Sequence, residues 1–260
     1  MITFENRDCM EAMAAFPDHY FDLAIVDPPY GDGKGGSGAK RFGGMFGASI
    51  NGTPTRGTYN RFGGRFEKYI DPQPADDQDG PKLDRRGCGW ATKYGKRIVQ
   101  WDVAPGPDYF AELFRVAKNA IIWGGNYFTL PPSRCFVVWR KINIPAQGFS
   151  MAPVEYAWTS YQNRNAVYLE ANSQGTAANV RFHPTQKPVE LYKDLLYQFA
   201  KPGYKILDTH AGSASSLVAC YDMGYDAWGY EIDETYYTKA KARLEEVMAQ
   251  VRIEDLQLSF

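Results

Sequence analysis

Apolar positions along the chain fall into short blocks bounded by Gly, Pro, Ser and Asp, and the spacing inside each block predicts its element. Asp8 with Glu11 three residues later is a helix-start pattern, and Phe21-Asp22-Leu23-Ala24-Ile25-Val26 then reads as a buried strand that delivers Asp27 to its carboxyl edge. A helix is predicted around Tyr109 to Ala117, and Ala120–Trp123, Cys135–Trp139 and Val154–Trp158 read as successive strands of one sheet. The last third predicts strand Lys205–Leu207, a small-residue turn, a helix through Val218 closed near Gly224, strand Ala227–Tyr230 and a helix from about Glu234 to Met248. This βαβ unit with an appended helix predicts an α/β fold, a doubly wound and mostly parallel sheet.

From Gly31 to Tyr69 the apolar period lapses into glycine, arginine and aromatic residues, and Arg41-Phe42-Gly43-Gly44 recurs as Arg61-Phe62-Gly63-Gly64. Asp71 to Arg86 reads as a solvated connector. With 260 residues, the chain is expected to form a single catalytic domain, 1–260, with an insertion at about 31–100.

An apolar fraction of 44% and aromatic content of 15% are globular, and no apolar run approaches the roughly 20 residues of a membrane span. No membrane association is expected. The start, Met1 to Asp8, lacks a signal-peptide pattern, which gives a cytoplasmic expectation. Cys9, Cys88, Cys135 and Cys220 form no CxxC pair and the three histidines show no ligand spacing, so neither a metal nor a disulfide framework is expected. The net charge of −1 hides an asymmetry: from Gly31 to Ile70, Lys34, Lys40, Arg41, Arg56, Arg61, Arg65 and Lys68 stand against Asp32 and Glu67, a local charge of +5. Basic residues interleaved with Phe42, Phe46, Tyr59, Phe62 and Phe66 suit phosphate contacts combined with stacking or wedging, which makes the segment a candidate DNA contact through Lys40, Arg41, Arg56, Arg61, Arg65 and Lys68. A solvated tether is the simpler reading of the same composition. The region from about Thr159 to Phe182 is the candidate for reading bases.

Two constellations carry chemistry. Asp208-Thr209-His210-Ala211-Gly212-Ser213-Ala214-Ser215 follows a predicted strand and opens a helix, where open α/β sheets bind nucleotide-like ligands. Glu231 ends the next strand, 23 positions after Asp208, where a carboxylate can accept both hydroxyls of a ribose. An acid at the head of the turn repels phosphate and suits a cation, so the sulfonium and ammonium of S-adenosylmethionine match better than NAD. Tight helix-to-sheet packing would also explain the small residues. The second constellation, Asp27-Pro28-Pro29-Tyr30, joins a carboxylate, two prolines without N–H groups and an aromatic ring at a strand end. Asp27 and the Pro28 carbonyl can grip the N–H bonds of an exocyclic amine and aim its lone pair outward, while Tyr30 stacks on the base, a contact worth about 1–3 kcal/mol. An ordinary proline turn is the alternative.

Together these motifs resemble the DNA amino-methyltransferases, whose catalytic motif reads D-P-P-Y and whose cofactor motif resembles D-P-F-x-G-S-G. The order, catalytic half before cofactor half, is similar to the beta group, over residues 4 to 30 and roughly 110 to 245. The resemblance implies a permuted sheet of the S-adenosylmethionine-dependent methyltransferase type and transfer of a methyl group to N6 of a flipped adenine in double-stranded DNA, yielding S-adenosylhomocysteine without a metal. It implies that Asp27, Pro28, Pro29 and Tyr30 hold the adenine. Asp208, Ala211, Gly212 and Ser213 would lie along the cofactor, which Asp27 would also border, and Glu231 would hold its ribose. Asp8 and Cys9 would border the cofactor's adenine, although Asp8 reads equally as a helix cap. His183-Pro184-Thr185-Gln186-Lys187-Pro188 resembles the family's segment before the helix beside the cofactor, which would bring Lys187 to the methionine carboxylate; a solvated surface lysine is the plainer reading. His210 stands where the family has Phe, and Ala214 where it has a second glycine. The resemblance leaves room for a homodimer and for a companion restriction enzyme. The competing readings are N4-cytosine methylation, an RNA substrate, a Rossmann NAD oxidoreductase, which leaves Asp27-Pro28-Pro29-Tyr30 unexplained, and an inactive DNA-binding module, which would require a broken motif.

Overall fold

The computed structural model describes residues 1–31, 103–144, 152–173 and 181–250. Nearly all of the expected insertion at 31–100, with Cys88 and the basic residues Lys40, Arg41, Arg56, Arg61, Arg65 and Lys68, lies outside them, as does part of the 159–182 region. In chain order the elements are β1 (Ile2–Asn6), α1 (Cys9–Met13), β2 (Leu23–Val26), α2 (Pro107–Val116), β3 (Ala120–Trp123), a 3-10 turn (Gly125–Tyr127), β4 (Phe136–Lys141) and β5 (Val154–Thr159). There follow β6 (Val167–Ala171), α3 (Val189–Phe199), β7 (Lys205–Asp208), α4 (Ser215–Asp222), β8 (Asp226–Glu231) and α5 (Glu234–Ala249).

The eight strands form one sheet in the order β1-β8-β7-β2-β3-β5-β4-β6. Every neighbouring pair is parallel except the two made by β5, which runs against β3 and β4. The mostly parallel, permuted α/β sheet expected from the sequence is therefore present. β7 and β8, late in the chain, lie between β2 and the edge strand β1, so the chain winds in opposite directions from the β7–β2 junction. Ligands bind at such a switch point, beyond the carboxyl ends of the strands.

Strand alternation explains the two covering layers. Leu23 and Ile25 of β2, Ile121 and Trp123 of β3 and Ile206 of β7 face a cluster with Leu195, Leu217 and Leu244 from α3, α4 and α5. Their neighbours Ala24, Val26, Ala120, Ile122 and Leu207 face the opposite cluster with Met13 of α1 and Phe110 and Leu113 of α2. Burying each of the larger aliphatic side chains contributes about 1.5–3 kcal/mol, which is why β2 and β3 read as unbroken apolar runs. α2 starts at Pro107, whose missing N–H costs nothing there, and α5 is capped by Asp233, which accepts from the Thr235 and Tyr236 amides at 2.9 and 3.0 Å.

Two strands lie outside the elements expected from the sequence. β1 is half-buried along most of its length at the sheet edge and takes its order from β8, more than 200 residues away. β6 occupies the other edge beside β4, within the stretch assigned to base reading. Among the described residues no helix is long and apolar enough to cross a membrane.

Candidate active site at the carboxyl edge of the sheet

Because β8, β7, β2 and β3 are adjacent and parallel, Glu231, Asp208, Asp27 and Gly124 follow one another along the carboxyl edge of the sheet. β5 runs the other way, so its start brings Glu155 to the same edge, while Lys141 arrives from the end of β4. Asp27 is nearly buried, its side chain 8% exposed, and receives the Tyr30 hydroxyl on Oδ1. Its other oxygen, Oδ2, lies 2.5 Å from Lys187 Nζ. Lys187 also lies 3.3 Å from Glu155 Oε2, and Lys141 Nζ lies 2.5 Å from Glu155 Oε1. The ammonium of Lys187 sits 5.1 Å from the centroid of Trp123, a distance at which the ring face attracts a cation.

This arrangement sets the charges. Burial lifts Asp27 above the ordinary carboxylate range, opposed by the Lys187 ammonium. Burial also acts on Glu155, but Lys187 and Lys141 outweigh it and hold that carboxyl below its usual range. Lys187 is disfavoured as a cation by burial, yet Asp27 and Glu155 more than compensate and raise it. Lys187, expected at the cofactor carboxylate or in solvent, is buried here and spans the two acids.

The Tyr30 ring stacks on Tyr127 with centroids 4.9 Å apart and meets Phe128 edge-on at 6.1 Å, while Pro28 is buried before it. Gly124 turns the chain after β3 with φ of +65°, and a Cβ there would collide with the Tyr30 ring. The glycine thus serves both a left-handed turn and the seat of the aromatic ring.

The second half of the edge gathers Asp208, the Gly212 loop and Glu231. Glu231 Oε2 accepts the Gly212 amide at 2.9 Å and Oε1 accepts the Asp233 amide at 2.8 Å, which leaves a further lone pair on each oxygen for a hydroxyl donor. Burial pushes Glu231 up to about 7 and Asp208 likewise to about 7. Asp208 accepts the His210 amide at 3.0 Å and the Ser216 hydroxyl. Gly212 has φ of +52°, and a Cβ on it would come 3.1 Å from the His183 ring, so any larger residue would crowd the loop. Ala211 is buried and donates to the Tyr230 carbonyl at 2.9 Å; the buried Ser213 hydroxyl lies 3.1 Å from that of Ser215. From behind, Arg243 of α5 donates to the Ser213 carbonyl at 2.9 Å and contacts Ser215 Oγ at 3.0 Å.

Ala214 keeps the left-handed conformation, φ of +58°, at the start of α4. A glycine would meet that geometry without the strain of about 1–2 kcal/mol that a Cβ brings. His210 packs edge-on against Tyr109 at 5.3 Å, as an aromatic ring would, and burial lowers it to about 4, so it is neutral at pH 7. Asp8 caps α1 by accepting the Met10 amide at 2.7 Å, and Cys9 begins that helix with its thiol pushed up to about 12 by burial and by Asp8, which makes it a poor nucleophile. Among the described residues no group of three His, Cys, Asp or Glu side chains is placed to hold a metal ion. The residues present fit S-adenosylmethionine by their chemistry: a carboxylate with spare acceptor capacity for a diol, a close-approach glycine and buried acids beside a cation.

Glu155, Lys141, Tyr127 and Gly124 were not among the candidates from the sequence. The signal available was a charged residue inside the apolar strand Val154-Glu155-Tyr156-Ala157-Trp158, which buried sheets rarely carry without a partner.

Residues 117–242 match the family model described as DNA methylase, of the N6/N4 type, a span that includes Lys187, Asp208 and Glu231. Escherichia coli K12 has a relative named "Putative methylase YubD", 24% identical over 260 residues, covering 94% of this chain and 90% of that protein. Similar solved structures include a putative DNA modification methylase from Thermus thermophilus, with TM-score 0.49, 15% identity and coverage of 96% and 97% of the two chains. Another is the PvuII DNA methyltransferase described as cytosine-N4-specific, with TM-score 0.48, 11% identity and coverage of 95% and 92%. Over residues 117–242 this chain is thus similar to DNA methylases of the N6/N4 type, and along most of its length to the E. coli relative.

Proposed function

We propose that this chain transfers a methyl group from S-adenosylmethionine to N6 of an adenine turned out of duplex DNA. The observation that carries the reading is the adjacency of two half-sites. The acceptor turn Asp27-Pro28-Pro29-Tyr30 ends β2, and the Asp208 loop and Glu231 end the neighbouring strands β7 and β8. A base held by the first would meet a nucleoside held by the second. Asp27 at the head of the motif, where the family's cytosine enzymes more often have Ser, favours adenine.

The bound cofactor supplies an electrophilic methyl group on a sulfonium. Glu231 holds its ribose hydroxyls, Gly212 and Ala211 let it approach the backbone, and Asp208 adds negative charge near its cationic end. On the substrate side, Asp27 and the Pro28 carbonyl accept the amine N–H bonds, which directs the nitrogen lone pair outward. Tyr30 and Tyr127, already stacked, supply a flat aromatic seat for an extruded base.

DNA incubated with the protein and S-adenosylmethionine should acquire N6-methyladenine, read by mass spectrometry of nucleosides and placed by modification-sensitive sequencing. N4-methylcytosine in its place, or no modified base, would overturn the assignment. Asp27→Ala should abolish transfer while calorimetry still shows cofactor binding; Glu231→Ala should weaken that binding roughly tenfold or more, as loss of hydrogen bonds to a diol does.

A further inference from the structure

We propose that Glu155 is a positioning residue for methyl transfer: it is the alternate counterion that lets Asp27 take up the amine proton while Lys187 stays charged. The inference rests on the amine-methylation reading above. Lys187 and Asp27 are 4% and 8% exposed, and Glu155 is the second acid within reach of the same ammonium, at 3.3 Å. With Lys141 on its other oxygen, the cluster holds two acids and two ammonium groups and sums to zero. A buried ammonium with a single counterion would become an uncompensated charge as soon as that acid was protonated. With Asp27 protonated the cluster carries one net positive charge, yet Lys187 still has the Glu155 carboxylate at 3.3 Å as its counterion.

The chemistry makes the need concrete. The amine lone pair forms the N–C bond as the methyl–sulfur bond breaks, with its electron pair remaining on sulfur as a neutral thioether. The nitrogen is then cationic and must lose a proton. Asp27, which grips the N–H bonds, accepts it, giving the neutral methylated amine and a neutral carboxylic acid. Lys187 keeps Glu155 as its partner through this step, and the proton passes from Asp27 to water as the product leaves. Among the described residues, the other titratable groups coupled to Asp27 and Lys187 include Tyr30, Tyr192, Asp208 and His183, the last held by burial at about 3. Burial pushes both tyrosines far above neutrality, so neither takes the proton.

Two measurements test the role. Melting temperatures of Asp27→Asn, Glu155→Gln and the double variant form a cycle without turnover. The double should lose more than the sum of the singles, because only it leaves Lys187 with no counterion; additive losses would overturn the proposal. In single-turnover methyl transfer, Glu155→Gln should be roughly tenfold or more slower with KM for DNA little changed. The acid limb of its pH profile should move to lower pH, since losing a nearby negative charge eases ionisation of Asp27. Glu155→Asp should recover part of the rate. The charge-balanced Lys141→Met/Glu155→Gln variant should fold and stay slow, and a wild-type rate there would mean that Glu155 only balances Lys141. If the wild type methylates no DNA base, the functional reading itself fails, and the melting cycle still decides the counterion role separately.

Discussion

Asp208 and Glu231 are two buried carboxyls that sit near pH 7, against ordinary values of 3.8 and 4.5. A carboxyl whose folded value is raised holds its proton in the native state when the unfolded chain has released it. The contribution of these groups to stability is therefore largest below about pH 4 and is lost as pH rises to about 7. Melting curves of the ligand-free protein should show that loss, and Glu231→Gln should show less of it; identical pH dependence in the two proteins would reject the shift. A bound cation and ribose hydroxyls favour the ionised acids, so S-adenosylmethionine binding near pH 6.5 should release protons, seen as a buffer-dependent enthalpy in calorimetry. Asp27 shows what is legible at this scale, because a carboxylate before two prolines at a strand end declares an acceptor. Lys187 does not: one lysine looks like another until its burial among Asp27, Glu155 and Trp123 is seen.

Glycines at element ends separate shape from site. Gly203 has φ of +84° and open space around a built Cβ, so Gly203→Ala should cost about 1–2 kcal/mol of stability through the backbone alone and leave activity intact. Gly124 shares the left-handed turn but faces Tyr30. Gly124→Ala should cost at least as much stability and also slow methyl transfer, with cofactor affinity unchanged by calorimetry. Equal activity in the two variants would separate Tyr30 from substrate positioning. At this level the apolar blocks marked β2, β3, β4, β5, β7 and β8 to within two or three residues at their ends, because β-favouring runs bounded by Gly, Pro and Ser carry a strong signal. β1 carries a weak one: its residues are half exposed, and among the described residues its only strand partner is β8, at the far end of the chain.

For the molecule as a whole, the basic and aromatic stretch Gly31 to Ile70 is proposed to contact DNA phosphates. Arg41, Arg61 and Arg65 changed together to Ala should weaken DNA binding and flatten the plot of log affinity against log salt by about 0.9 for each phosphate no longer neutralised, with cofactor affinity unchanged. An unaltered slope would assign the stretch a structural role. The sequence alone determined the α/β class and the order of the two motifs, Asp27-Pro28-Pro29-Tyr30 before the turn that opens on Asp208, since those depend on local spacing and on side-chain chemistry that travels with the chain. Only the tertiary structure decided that β7 and β8 insert beside β2, which makes neighbours of motifs some 180 residues apart. It also decided that β5 runs backwards and so brings Glu155, from the start of its strand, to an edge where other strands present their ends. Strand order and direction are settled by which faces bury together and which backbone groups pair across the sheet. Those are relations between distant segments, and no local pattern encodes them.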